Sequence, residues 1–199
     1  MKTDFKSAKK DASRQAILDA AEVCVCNGKP LQVAALAEEA GIAVGTVYRY
    51  FDGKQDLEQS LIGRMVRSLV DHVDQAVAAE GEAGANLEAL IRAIFDSALS
   101  HPGALRLFLE RSTWSQLGTD HDLGDHVKPA YQRYDELELR ILRRLKLCRI
   151  PEDQASRFLR ASMLAGLTFL ADLGDDARRE GVENLVRLSM QGLMGCVEQ

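Results

Sequence analysis

Between Ala43 and Phe51 the chain reads Ala-Val-Gly-Thr-Val-Tyr-Arg-Tyr-Phe. With Val33 and Leu36 inside and Ile42 and Val47 as the core of the crossing, Val44, Gly45, Thr46, Tyr48, Arg49 and Tyr50 point largely outward on a short helix. A threonine, two tyrosines and an arginine exposed so close together are hard to explain as core. Their hydroxyls and guanidinium suit phosphate oxygens and base edges, whereas nothing among them is a nucleophile paired with a base. Elsewhere, Asp120-His121-Asp122 with Asp125-His126 has the residue types for a divalent metal, but the spacing matches no closed site and reads as a solvated polar loop. Nucleophile elbow, phosphate-cradling glycine loop and zinc-protease motif are all absent from the sequence. No catalytic residue, cofactor or metal is therefore assigned, and the chain is not expected to be an enzyme.

The elements that must carry the outward set are all helical, since no run shows the strict alternation of a half-buried strand. A first helix is expected over Ala12 to Val25, with Ile17, Ala20, Ala21 and Cys24 inward, ended at Asn27-Gly28-Lys29-Pro30. Two short helices, about Gln32 to Glu39 and Ala43 to Tyr50, flank Ala40-Gly41-Ile42. These are the dimensions of a helix-turn-helix at about 32–51. Small Ala37 lets the two approach, and Gly41 permits the turn. Longer helices follow from Gln55 to about Ala79, from an Asn86 cap, over Ala104 to Trp114, from Pro129 and Pro151, and from Asp176 to about Cys196. The fold class is thus all-α, about nine helices, with a head at 1–54 and a larger helical body at 55–199.

The stretches Arg14-Gln15-Ala16-Ile17-Leu18-Asp19-Ala20-Ala21, Leu36-Ala37-Glu38-Glu39-Ala40-Gly41-Ile42, Gly45-Thr46-Val47-Tyr48-Arg49-Tyr50-Phe51 and Lys54-Gln55-Asp56-Leu57 resemble the TetR family of bacterial transcription regulators. The resemblance covers about the first quarter of the chain. It implies DNA contacts from Thr46, Tyr48, Arg49 and Tyr50, a phosphate contact from Lys54, and Phe51 as a plug in the head core. Gln32, Val44 and Gly45 belong to the same face. Gln32 stands where the family commonly has a capping threonine or serine, and Ala43-Val44 where it has serine-lysine, which leaves those two only apolar contact with thymine methyls. An extended arm with Lys2, Lys6, Lys9 and Lys10 reads equally as a source of backbone or minor-groove contacts and as a solvated tail.

The resemblance further implies a homodimer that is released from a palindromic double-stranded operator, as a repressor, by a small molecule bound in the body. The helix from Pro151 is apolar on more than one face, which independently asks for a partner. Expected interface residues are Ala161, Ala165, Leu185, Ser189, Gly192 and Leu193. Expected pocket residues are Phe95, Phe108, Trp114, Tyr131, Tyr134, Phe158, Met163 and Leu167, and their apolar character suggests a hydrophobic or aromatic effector. No arginine or lysine is read among these stripes, which disfavours an anionic one. An alternative is a regulator switched by oxidation of Cys24 or Cys148.

The chain holds 199 residues with 46% apolar and 28% charged residues and a net charge of −5, a globular profile without a membrane span or secretory core, hence an expected bacterial cytoplasmic location. Its four cysteines follow no disulfide framework. The acidity argues against nucleic acid only until it is divided. Residues 1–54 have eight cations and seven carboxylates, +1, and the rest 17 and 23, −6. An acidic body would repel a duplex and leave the heads to meet it.

Overall fold

A computed structural model describes residues 2–76, 81–111, 127–146, 150–171 and 173–195, with side chains from residue 10 onward apart from 76 and 175. Among the described residues there are nine helices and no strand: α1 Lys2–Cys26, α2 Val33–Glu39, α3 Val44–Tyr48, α4 Lys54–Ala76, α5 Ala83–Leu99, α6 Pro102–Arg111, α7 Lys128–Leu145, α8 Glu152–Ala171 and α9 Asp175–Met194. The order is the expected one, and two differences have plain causes. α1 begins at Lys2, so the arm expected to be extended is helical. Nothing between Lys2 and Cys26 is Gly or Pro, the residues that would break it. α5 begins three residues before Asn86, which is not its cap but a buried residue of its first turn.

The head is closed by Ile17, Leu18, Ala21, Leu36, Ala37, Val47 and Phe51, all buried. α2 ends in a Schellman motif: the Gly41 N–H reaches the Glu38 carbonyl at 3.1 Å and the Ile42 N–H the Ala37 carbonyl at 2.9 Å. Gly41 sits at φ +65°, the left-handed region that only glycine enters cheaply. That motif sets the angle at which α3 leaves α2. Neither short helix has a side-chain cap, the N-cap positions being Gln32 and Ala43.

α4 runs from the head into the body and packs against α1, α5, α6 and α7, while α8 and α9 lie together against α5. The buried apolar core is continuous from Ile17 in α1 to Leu193 in α9. The boundary expected at 54/55 thus falls at the start of α4, a helix whose apolar face serves both sides of it. No described helix is long and apolar enough to cross a membrane.

Candidate nucleic-acid interface and body cavity

α3 is held by what it buries. Val47 is 0% and Phe51 1% exposed, while Tyr48 is 56% and Val44 42% exposed, so one face is anchored and the other offered. Gly45 and Arg49 are exposed too, with Thr46 and Tyr50 half-buried. Phe51 is fixed from above by the Arg14 guanidinium, 4.9 Å from its ring centroid. The same guanidinium donates to the Ser60 hydroxyl of α4 at 2.8 Å, locking α1, the plug and α4 together. Arg49 lies 5.2 Å over the Tyr50 ring. The Tyr50 phenol is drawn below its ordinary pKa by its hydrogen bond with Ser13, with Arg49 and Lys10 adding positive charge. The sequence resemblance offered Arg14 only as the lead of the first helix; the structure shows what it does there.

Lys54 opens α4. Its Nζ is 3.5 Å from Glu58 Oε1, one turn on, and its side chain is 60% exposed. Asp56 in the same first turn accepts the Asp52 N–H at 3.0 Å and complements the positive end of the helix. Gln32 is exposed at the start of α2. Gln32, Val44, Gly45, Tyr48, Arg49 and Lys54 therefore all reach solvent, with Thr46 and Tyr50 half-covered beside them.

The head is tied to the body by α6. Glu22 of α1 accepts the N–H groups of Gly103 at 2.7 Å and Ala104 at 3.1 Å, satisfying two of the free donors at the α6 N-terminus. Arg64 of α4 joins the cluster, 2.5 Å from Asp19 Oδ1 and 3.3 Å from Glu22 Oε2. Gly103 is required here: a Cβ would lie 2.9 Å from the Glu22 carbonyl oxygen.

Within the body α4, α5, α6, α7 and α8 line a partly open cavity of about 100 Å³, walled by Met65, Val66, Leu69, Ile94, Ala98 and Leu164, with Ser97, Phe108, Tyr131, Tyr134, Arg160, Met163 and Leu167. Five of the eight expected pocket residues are thus brought together. Two are not. Phe158 is 54% exposed and faces Gly192 of α9; five residues before Met163, it is rotated about 140° from it around α8. Phe95 is fully buried but packs on Gly166, off the Ile94–Ala98 stripe. Trp114 lies outside the described residues, as do the 118–125 loop, Cys148 and Cys196.

Arg160 corrects the expectation that no cation lines the pocket. It falls three, four and seven residues before Met163, Leu164 and Leu167, on the same stripe, and that spacing was the signal to find it. Its Nε and Nη2 reach Glu138 at 2.9 and 2.5 Å, and Nη2 reaches Asp135 at 2.7 Å. Ser156 donates to the other Glu138 oxygen at 3.2 Å, and the guanidinium lies 5.4 Å over Tyr134. Burial pushes the Glu138 carboxyl above its ordinary pKa, with Arg160 opposing. Burial also lifts the Tyr131 phenol to about 12 and Tyr134 well above its usual range. The polar end of the cavity is a satisfied network of one cation and two carboxylates, not a bare charge.

Of the expected interface residues, Ala165 and Gly192 are exposed and Ala161, Leu185 and Ser189 half-buried, whereas Leu193 is 2% exposed, inside its own protomer. Phe169 of α8 and Leu188 of α9, absent from the expected interface set, are exposed, as is Phe158. Cys24 is buried and Cys26 exposed, on different faces as their spacing implies. Among the described residues no group of three or more His, Cys, Asp or Glu is placed to hold a metal ion.

Comparison with known proteins agrees with this geometry. Residues 17–61 match the family model for bacterial regulatory proteins of the tetR family. The nucleoid occlusion factor SlmA of Haemophilus ducreyi is 26% identical over 135 residues, 66% of this chain and 61% of that protein, so the match spans less than two thirds of the relative. The HTH-type transcriptional repressor KstR of Mycolicibacterium smegmatis is 40% identical over 70 residues, 34% of each. Among solved structures, the TetR-like regulator LfrR of Mycobacterium smegmatis, in complex with proflavine, superposes with a TM-score of 0.65 at 22% identity, covering 96% of this chain and 99% of that one. The regulator FadR of Bacillus subtilis, in complex with stearoyl-CoA, gives 0.71 at 17% identity, covering 92% and 99%. Residues 17–61 are thus similar to the DNA-binding head of tetR-family regulatory proteins, and the all-helical body shares the fold of the solved tetR-like structures.

Proposed function

We propose that the protein is a homodimeric DNA-binding transcription regulator, a repressor released from a palindromic operator by a small apolar or aromatic molecule. The observation that carries the reading is the α3 face: Val44, Tyr48 and Arg49 exposed on a helix anchored by Val47 and Phe51, with Lys54 beside it at the start of α4. In a two-fold pair such faces would enter successive major grooves about 34 Å apart. Phe158, Phe169 and Leu188, at 54%, 59% and 63% exposure on the last two helices, support a second copy as the partner that covers them.

The cavity favours an effector-responsive regulator over a DNA-binding protein that takes no small molecule. That LfrR is seen with proflavine and FadR with stearoyl-CoA supports small-molecule binding on this fold without choosing the ligand. At about 100 Å³ the cavity is smaller than the ~300 Å³ of the smallest drug-sized pockets. An effector larger than the cavity would displace its walls on entry, and that displacement would be the signal. The oxidation alternative has less behind it, because Cys24 is 5% exposed. Selection of a duplex from random sequence by the purified protein, followed by a binding titration, tests the reading; failure to enrich any sequence sinks it.

A further inference from the structure

α6 is tied to α1 of the head at one end and to the start of α4 at the other, and it walls the cavity between them. Its N-terminus is held by Glu22. At its C-terminus Arg111 Nη2 hydrogen-bonds Glu58 Oε2. The other Glu58 oxygen faces Lys54 Nζ at 3.5 Å. The Glu58 side chain is 10% exposed, against 60% for Lys54 and 37% for Arg111. One nearly buried carboxylate is thus shared by two cations, one in the first turn of α4 and open to solvent, the other at the end of α6. Phe108, one turn before Arg111, lines the cavity.

We propose that Glu58 divides its charge between Arg111 and Lys54, so that the position of α6 sets how freely Lys54 can hold a DNA phosphate. The proposal rests on the reading of Lys54 as a phosphate contact. A buried carboxylate stripped of one partner is costly and must be neutralised by the cation still beside it. While Arg111 holds Glu58, Lys54 is free to reach outward. If α6 is pushed away as the cavity fills, Arg111 leaves with it, and Lys54 folds back onto Glu58 in the i,i+4 geometry already present. The phosphate contact is then lost in each head without any change in the recognition helix.

The test uses the full chain, a duplex it has selected from random sequence, and fluorescence anisotropy over a range of KCl. Arg111→Met should weaken binding about threefold per head, about tenfold for a two-headed complex. It should also flatten log K against log salt by about 0.9 per head. Lys54→Met should flatten the slope equally, and adding Arg111→Met to it should change nothing more. Arg111→Met/Glu58→Gln should restore both affinity and slope, which simple damage to α6 would not allow. Arg111→Met with the wild-type slope, or a double variant no better than Arg111→Met, overturns the proposal. A wild-type protein that selects no duplex fails earlier, at the DNA-binding reading itself.

Discussion

Replacing Glu22 with alanine should cost more than any other single polar change between head and body. Its carboxylate takes two backbone N–H groups at 2.7 and 3.1 Å and one Arg64 nitrogen at 3.3 Å. Hydrogen bonds to a charged group contribute about 1.5–3 kcal/mol each. The Glu22 side chain is 14% exposed, so water recovers part of that loss at the α6 terminus, and Arg64 keeps Asp19. About 2–4 kcal/mol of destabilisation remains. Glu22→Gln, which retains one carbonyl acceptor, should lose about half as much. Urea denaturation at matched protein concentration reads this as a fall in midpoint at constant m-value. In a thermal scan each kcal/mol corresponds to about 2–4 °C for a chain of this length. A Glu22→Ala midpoint within about 0.5 kcal/mol of wild type would refute the claim that this carboxylate clamps α1 to α6.

Gln32→Ser should supply the missing α2 cap and raise stability by about 0.5–1 kcal/mol, seen as a higher denaturation midpoint. Ala98→Leu should fill much of the cavity of about 100 Å³ and raise stability by about 1–2 kcal/mol at the ~24 cal/mol per Å³ that voids cost, while blocking uptake of apolar dyes. Glu138 has its folded pKa raised by burial, so the folded state holds its proton more tightly than the unfolded chain. Its contribution is therefore present at pH 4 and lost as pH rises through the raised value. Wild type should lose stability relative to Glu138→Gln between pH 4 and pH 8, and a gap that is flat or widens the other way would contradict this. Phe158→Glu with Leu188→Glu should convert a dimer to monomers in light scattering, leaving the helical circular dichroism spectrum intact.

The head was legible because each of its residues has a local reason. Gly41 marks the turn, Val47 and Phe51 the anchored face, and Lys54 the start of α4. Gly41 and Val47 follow from spacing within about twenty residues, whereas Phe51 and Lys54 were implied by the family resemblance. The body was less so. Periodicity identified its helices, but which apolar face meets which neighbour depends on packing between distant segments. Phe158 read as a pocket aromatic because it is large and apolar; its phase on α8 turns it outward instead. Arg160 was passed over because it interrupts an apolar stripe, although its i, i+3, i+4 relation to Met163 and Leu164 was available. The partners that make its burial tolerable, Glu138 and Asp135, sit on another helix. Glu58 was equally invisible, since its significance lies in Arg111, 53 residues away.

DNA reading depends on the α3 face, and one comparison reaches it directly: anisotropy titration of the selected duplex with wild type and with Tyr48→Ala/Arg49→Ala. Both side chains are exposed, so the variant should keep the wild-type thermal midpoint. It should lose about 2–6 kcal/mol of binding across two heads, counting about 1–3 kcal/mol for one specific base contact in each head, and with it the preference for the selected sequence over a scrambled one. Undiminished, sequence-selective binding by that variant would contradict the assignment of this face as the DNA-reading surface.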